Sequence, residues 1–131
     1  SLYMQPKDVV EQFIADTRAH RFDEAKAWLV ADGFEYVGPN MHFLSPDDML
    51  SYQFGMAAIQ KDLVLRQLSA DGEHVFAILD YQTHFEPIGD VRLAVWFRVR
   101  NENSKNKKKK KKSRTKKIIK QKERQEKVKQ T

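Results

Sequence analysis

Residues 74–100 read HVFAILDYQTHFEPIGDVRLAVWFRVR, and this stretch decides the fold. It contains two runs rich in β-branched and aromatic residues, 74–85 and 91–100. Such residues favour strands, whereas the proline and glycine of the segment between the runs favour a turn. The stretch therefore predicts two long antiparallel strands joined by a short loop.

The register of these two strands decides which side chains meet the core. If residues 86–90 form the loop, Phe85 opposes Val91, and the face that the two share is strongly apolar. Asp80 and His84 then point to the other, outer face. A loop one residue shorter would swap the faces, because side chains alternate along a strand, and both residues would line a pocket.

The chain before this stretch predicts three helices and a further strand. Pro6 opens one helical pattern, Asp23 can cap a short second helix, and Ser45 caps a third. Residues 63–69 form another β-type run, which ends at the turn signal Asp71-Gly72. Helices followed by a strand meander predict an α+β fold, with helices packed on one face of an antiparallel sheet.

The charge of the chain is divided between two parts. Residues 105–131 hold 15 of the 24 Lys and Arg residues and 2 of the 18 acidic ones, so this segment carries +13 and the preceding chain −7. With three aliphatic side chains and no aromatic one, it cannot bury a core. We therefore predict that residues 3–103 form the domain and that 104–131, a lysine-rich tail, are not part of the core fold.

A lysine-rich tail suggests one kind of partner. It would bind phosphate backbones such as nucleic acid through charge alone, although a solvated tail is the favoured interpretation. Base stacking is not predicted, because the tail contains no aromatic residue.

Several classes of chemistry are excluded by composition. The absence of cysteine excludes disulfides and thiolate metal sites. No apolar run approaches the roughly 18 residues of a membrane helix, and no signal segment opens the chain, so no membrane association and a cytoplasmic location are expected. His, Asp and Glu show no metal-ligand spacing, and there is no glycine-rich phosphate loop; no metal or cofactor is predicted.

Three segments carry a family resemblance: Val9–Phe13 followed by Arg21-Phe22-Asp23, then Phe34–Pro39, and Val95–Asn101. They resemble the nuclear transport factor 2-like superfamily, closest to its SnoaL-like and ketosteroid-isomerase-like branch. The resemblance implies a cone-shaped domain with three N-terminal helices on the concave face of a curved antiparallel sheet. It also implies an apolar pocket and a homodimer through the outer sheet face. It is weak for function, because this fold hosts many activities.

The isomerase residues of that branch are mostly missing here. The enzyme uses an aspartate base with a tyrosine and a protonated aspartate. The resemblance places the tyrosine at Phe13 and the protonated aspartate at Val95, and neither side chain can donate a proton. The base falls on Glu35 when counted back from Ser45, and on Val37 when counted forward from the first helix. Steroid-type isomerisation is not expected, and Glu35 is the candidate catalytic base.

The expected pocket is mostly apolar with a few polar groups, which suits a small hydrophobic ligand. Arg66 would be costly there unless it met an acid such as Glu35, or unless a bulge turned it to solvent. The predicted pocket residues are Phe13, Trp28, Tyr36, Tyr52, Arg66, Tyr81 and Val95. The predicted dimer face consists of Leu63, Leu65, Phe76, Ile78 and Trp96.

Two functions follow from these observations. The first is a SnoaL-like domain that binds a small molecule, as a binder or as an acid/base isomerase, cyclase or hydrolase acting on a hydrophobic compound. The alternative is a non-catalytic dimeric association module whose basic tail binds polyanions. The sequence does not decide whether any reaction is catalysed.

Overall fold

Three helices precede the long strands in the computed structural model, which describes residues 4–101 and 116–128. Helix α1 spans Pro6–Arg18, α2 spans Phe22–Lys26 and α3 spans Pro46–Ala57. None of the helices in the described ranges is long and apolar enough to cross a bilayer.

The starts of α1 and α3 follow from local sequence. Each begins with a proline, which is tolerated there because the first turn has no intrahelical use for its N–H. The backbone N–H of Asp48 donates to Ser45 Oγ at 3.3 Å, as the predicted cap requires. On α1, Val9 and Phe13 lie on the buried face, and the Phe13 ring meets that of Phe97 edge-on at 6.2 Å.

A six-stranded, mostly antiparallel curved sheet forms the second layer. Its strands are β1 Glu35–Val37, β2 His42–Phe43, β3 Gln60–Asp71, β4 His74–Thr83, β5 Asp90–Asn101 and β6 Lys116–Lys127. The order across the sheet is β2-β1-β6-β5-β4-β3, and β1 and β6 run parallel while the other neighbours run antiparallel. The predicted α+β class is therefore correct.

Strand β6 corrects the expectation that residues 104–131 lie outside the core fold. It pairs with β5 along one edge and with β1 along the other. Ile118 is fully buried, Ile119 is 8% exposed, and both belong to the hydrophobic core. Residues 104–115 and 129–131 of the predicted tail lie outside the described residues, as do residues 3, 102 and 103 of the predicted domain.

The lysine-rich composition of β6 is compatible with a central strand because its two faces differ. Lys120, Lys122 and Arg124 lie on the face away from the helices, where their aliphatic stems can cover the sheet while the charges stay in water. The alternate residues Gln121 and Glu123 point to the helix side, where they meet a cavity. A strand that faces a cavity needs no run of alternating apolar residues.

The β4–β5 register differs from the expected one by four residues. Tyr81, and not Phe85, lies opposite Val91. A shift by an even number keeps every side chain on its expected face, because side chains alternate with a period of two. Asp80 therefore lies on the outer face as predicted, whereas His84 lies in the loop beyond β4.

A bulge in β3 changes the expected faces of three residues. The pairing with β4 shifts between Leu65 and Gln67, so Arg66 is the extra residue. Leu63 and Leu65 consequently lie opposite Tyr81 and Leu79 on the inner face, and not on the predicted dimer face. Arg66 points to the outer face, which corrects its assignment to the pocket.

Candidate active site

A cavity of about 260 Å³ lies between the helices and the inner face of the sheet. It exceeds the roughly 150 Å³ that holds one benzene molecule in an engineered protein cavity. Its walls are mostly apolar and include six aromatic rings: Phe13, Phe22, Tyr36, Tyr52, Tyr81 and Phe97. Of the predicted pocket residues, Phe13, Tyr36, Tyr52 and Tyr81 therefore lie on this cavity.

Glu123 is the one acidic side chain among the described residues of the cavity wall. Its Oε2 accepts hydrogen bonds from the Tyr36 hydroxyl at 3.0 Å and from Gln125 Nε2 at 3.2 Å. Burial raises the pKa of the Glu123 carboxyl above its ordinary value of 4.5, although these two donors act in the opposite direction. A carboxyl group of this kind is suited to exchange protons with a guest in the cavity.

Three phenols lie on the wall of the same cavity. Burial raises the pKa of Tyr81 to about 12 and also raises those of Tyr36 and Tyr52. The negative charge of Glu123 adds to the effect at Tyr36 and Tyr52. All three phenols are therefore neutral donors at physiological pH.

The three hydroxyls differ in what they contact. The Tyr36 hydroxyl donates to Glu123, and that of Tyr81 donates to the Met56 carbonyl at 2.9 Å. The Tyr52 hydroxyl makes no hydrogen bond with the described residues, so it is available to donate to a guest.

Two amide oxygens on the cavity wall lack donors. Gln53 Oε1 and Gln121 Oε1 are buried without a hydrogen-bond partner among the described residues. Gln121 itself is 4% exposed, and the amide nitrogen of Gln53 donates to the sulfur of Met49 at 3.4 Å. A buried acceptor without a donor is costly, so both oxygens favour a guest or water that donates to them.

The predicted base, Glu35, does not face the cavity. Tyr36 points inward from β1, so the neighbouring Glu35 and Val37 point outward. The Glu35 carboxylate contacts Lys120 Nζ and His42 Nε2, each at 2.8 Å. Lys120 and then His42 lower the pKa of Glu35, which makes it a weaker base. Both positions predicted for the base, Glu35 and Val37, therefore lie outside the cavity wall.

The other predicted pocket residues that do not line the cavity are held by contacts elsewhere in the structure. Arg66 Nε donates to Asp80 Oδ2 at 2.7 Å on the outer face, where Arg92 Nε also contacts Asp80 at 2.7 Å. Trp28 does not line the cavity, and its indole N–H donates to Asp16 at 2.9 Å. Val95 is 3% exposed and packs in the core beside the cavity without lining it.

The residues of the predicted dimer face do not all lie on one face of the sheet. Phe76 and Trp96 lie opposite each other on the outer face, and Ile78 lies there too, whereas Leu63 lines the cavity. A homodimer through the outer face stays a prediction.

Sequence reasoning missed Glu123, Gln121 and Gln53. The signal for the first two was present: Lys120, Lys122 and Arg124 alternate with Gln121, Glu123 and Gln125. This is the period of a strand with one cationic face, although its other face is polar and not apolar. The described residues also contain no group of three or more His, Cys, Asp or Glu arranged to hold a metal ion.

Comparisons place the fold among known structures. Neither a protein-family profile nor a curated protein matches the sequence. An NTF2-like protein of unknown function from Cytophaga hutchinsonii superposes with a TM-score of 0.68 at 16% identity, over 94% of this chain and 91% of that one. A protein with a ketosteroid isomerase-like fold from Catenulispora acidiphila, in complex with trimethylamine, gives 0.67 at 16% identity, over 92% and 85%. A candidate polyketide cyclase from Sinorhizobium meliloti gives 0.69 at 12% identity, over 88% and 93%.

Proposed function

We propose that this chain, which has the NTF2-like fold, binds a small and mostly apolar molecule in its cavity and that Glu123 transfers a proton on that molecule. The observation that carries the proposal is the Glu123 carboxyl group, which lies on an aromatic cavity wall with a pKa raised by burial. The descriptions of two structural neighbours, a ketosteroid isomerase-like fold and a candidate polyketide cyclase, support acid/base chemistry of the isomerase or cyclase type.

The reaction class that fits these groups is proton abstraction next to a carbonyl. The Glu123 carboxylate takes a proton from the carbon beside the carbonyl group. The electron pair of that C–H bond forms the C=C bond of an enolate, and the π pair of the carbonyl moves onto its oxygen. The Tyr52 hydroxyl is free to donate to that oxygen and to stabilise its developing charge. In an isomerisation, protonated Glu123 returns the proton to a different carbon of the conjugated enolate. In a ring closure, the enolate carbon attacks a second carbonyl carbon of the same molecule, and protonated Glu123 gives the proton to the alkoxide oxygen that forms.

The two unpaired amide oxygens indicate which substituents the guest carries. Gln53 Oε1 and Gln121 Oε1 are acceptors, so they favour hydroxyl or amine hydrogens on the guest. A carboxylate or phosphate on the guest is disfavoured, because the described wall contains no Lys or Arg and one acid. A hydroxylated cyclic ketone combines these features with the reacting carbonyl.

Binding is tested by thermal shift with a panel of cyclic ketones, their hydroxylated analogues, a carboxylated analogue and trimethylamine. The hydroxylated ketones are expected to raise Tm most and the carboxylated one least. The amine is included because the Catenulispora neighbour is in complex with trimethylamine. If no compound raises Tm, the cavity is not a site for this class of molecule.

Catalysis is tested by following deuterium incorporation beside the carbonyl of a bound ketone in D₂O by NMR. Glu123→Gln should slow the exchange by about 10²–10⁴-fold, the usual contribution of a positioned base, while the ketone still binds. Glu126→Gln removes an acid from the outer face of the same strand and should exchange at the wild-type rate. Equal exchange in wild type and Glu123→Gln would sink the acid/base part of the proposal and leave binding intact.

A further inference from the structure

The outer face of the sheet, the one turned away from the helices, brings together aromatic and cationic side chains that are distant in sequence. Phe76 on β4 lies opposite Trp96 on β5, and Trp96 lies opposite Lys122 on β6. The sheet thus forms a row of two rings and a cation. No single segment of the sequence contains this combination, because the rings and the cation come from three strands.

The two rings are presented differently. Phe76, the third residue of β4, is 48% exposed. Trp96 is held in place: its ring stacks on His74 with centroids 5.7 Å apart, its indole N–H donates to His74 Nδ1 at 3.0 Å, and Lys120 Nζ lies 5.7 Å from the ring centroid. The Phe76 ring is therefore exposed to solvent, and it lies beside the Trp96 ring, which is held by its contacts.

The cations of β6 form a line along the edge of this aromatic pair. Lys120, Lys122 and Arg124 project from alternate positions, so successive charges are about 7 Å apart along the strand. This spacing is comparable with that of successive phosphates in an extended single strand. Among the described residues, Lys122 and Arg124 are in no ion pair, whereas Lys120 pairs with Glu35.

The acids of this face are largely neutralised. Asp80 is 5% exposed and both of its carboxylate oxygens are occupied, by Arg66 and by Arg92. The cluster of these three residues still has one net positive charge. Glu35 is shared by Lys120 and His42, and Glu126 lies on this face opposite Arg92. The outer face therefore has a net positive field and presents most of its anionic groups to its own cations.

We propose that the outer face binds single-stranded nucleic acid, with unpaired bases stacked on Phe76 beside Trp96 and the phosphates along Lys120, Lys122 and Arg124. Proteins that bind single strands without sequence choice combine a cationic track with aromatic platforms, and this face has both. A duplex does not fit the rings, because its bases are already stacked on one another. A twofold contact with a second copy of the chain would place two faces of the same net positive charge against each other.

The test uses the full chain with a fluorescein-labelled 12-nucleotide oligo-dT strand and measures fluorescence anisotropy at several salt concentrations. Lys122→Gln/Arg124→Gln should reduce the slope of log K against log salt by about 1.4, since each phosphate contact on a single strand contributes about 0.7. Phe76→Ala should weaken binding about 5-fold or more at fixed salt with the salt slope unchanged, because stacking is worth about 1–3 kcal/mol per base.

Matched controls separate this face from general attraction to a basic protein. Phe85→Ala removes a ring that is 47% exposed in a loop, and Lys7→Gln/Lys61→Gln removes two exposed cations from α1 and the start of β3. All variants keep residues 105–115, so charge in that segment affects them equally. Both controls should bind the strand nearly as the wild type does.

Three results would overturn the proposal. The first is equal loss of affinity in the face variants and their controls, which would mean attraction by net charge alone. The second is tighter binding to the same sequence as a duplex, or to vesicles containing an anionic lipid. The third is a dimer by light scattering that Phe76→Ala dissociates while the oligonucleotide fails to bind, which would assign the face to a second copy of the chain.

Discussion

Glu123 and Asp80 lie on opposite faces of one sheet, and their pKa values shift in opposite directions. Glu123 faces an apolar cavity, where burial outweighs two neutral hydrogen-bond donors and raises the pKa. Asp80 is held by Arg92 and Arg66, which lower its pKa from 3.8 to about 2. The charge of the neighbours, and not burial alone, therefore decides the direction of each shift.

The raised pKa of Glu123 predicts a pH-dependent gain of stability in Glu123→Gln. The folded protein keeps this proton to higher pH than the unfolded chain, whose carboxyl has a pKa near 4.5, so wild-type stability falls as pH rises through the folded-state pKa. Urea unfolding from pH 4 to 8 should show the variant becoming progressively more stable than the wild type. Glu126→Gln is the control, and a variant advantage that is largest at pH 4 would contradict the assignment.

The lowered pKa of Asp80 predicts the opposite dependence. Its ion pairs stabilise the fold above pH 3.8, and this contribution is lost as pH falls towards 2. Asp80→Asn should cost roughly 1–2 kcal/mol at pH 7, because its two arginine partners are about half exposed. The difference from wild type in acid-unfolding experiments should close near pH 2. A difference that stays constant down to pH 2 would show that the carboxylate charge is not responsible.

At the scale of the elements, helix starts and strand faces could be predicted because each depends on neighbours in sequence. Ser45 caps α3 as expected, and the inner faces of β4 and β5 are correct despite a register error of four residues. A bulge that turns Arg66 to solvent was one of the alternatives that the sequence left open. It could not be decided, because one inserted residue reverses the faces before it without a local sequence signal. Leu63 and Arg66 were misplaced for this reason.

Strand β6 was missed because cavity-facing positions do not follow the rule for packed cores. Gln121 and Glu123 occupy positions where a strand over a filled core would carry apolar side chains. The candidate acid, Glu123, therefore lies in the segment that we predicted from its composition to be a solvated tail. The tyrosines of the cavity were predicted, since Tyr36, Tyr52 and Tyr81 lie in elements with ordinary apolar patterns.

Ile118→Ala tests whether β6 belongs to the core. The side chain is fully buried, so its truncation should cost about 2–5 kcal/mol of unfolding free energy, measured by denaturant titration. Val128→Ala, just after the strand and 37% exposed, should change stability by no more than about 0.5 kcal/mol. A negligible cost at Ile118 would return residues 116–127 to the status of a solvated tail.

For the whole molecule, β6 is the element that joins the two parts of the sheet. It lies between β1 and β5, which otherwise do not pair with each other. A chain that ends at residue 101 should therefore lack a stable tertiary structure, whereas one that ends at residue 128 should fold. Near-UV circular dichroism and amide hydrogen exchange distinguish the two. A cooperative, well-protected 1–101 fragment would show that β6 is dispensable.

The position of β6 in the sheet also has a consequence for protein synthesis. A ribosome makes β1 early and β5 later, but the strand that belongs between them is translated after both. Until residues 116–127 leave the exit tunnel, the nascent chain exposes two unpaired strand edges and an open core, which are features that chaperones recognise and that promote aggregation. Translation through the codons of the lysine run at 107–112 precedes that step. A translational pause at these codons would lengthen the period in which the nascent chain lacks β6 and depends on chaperones.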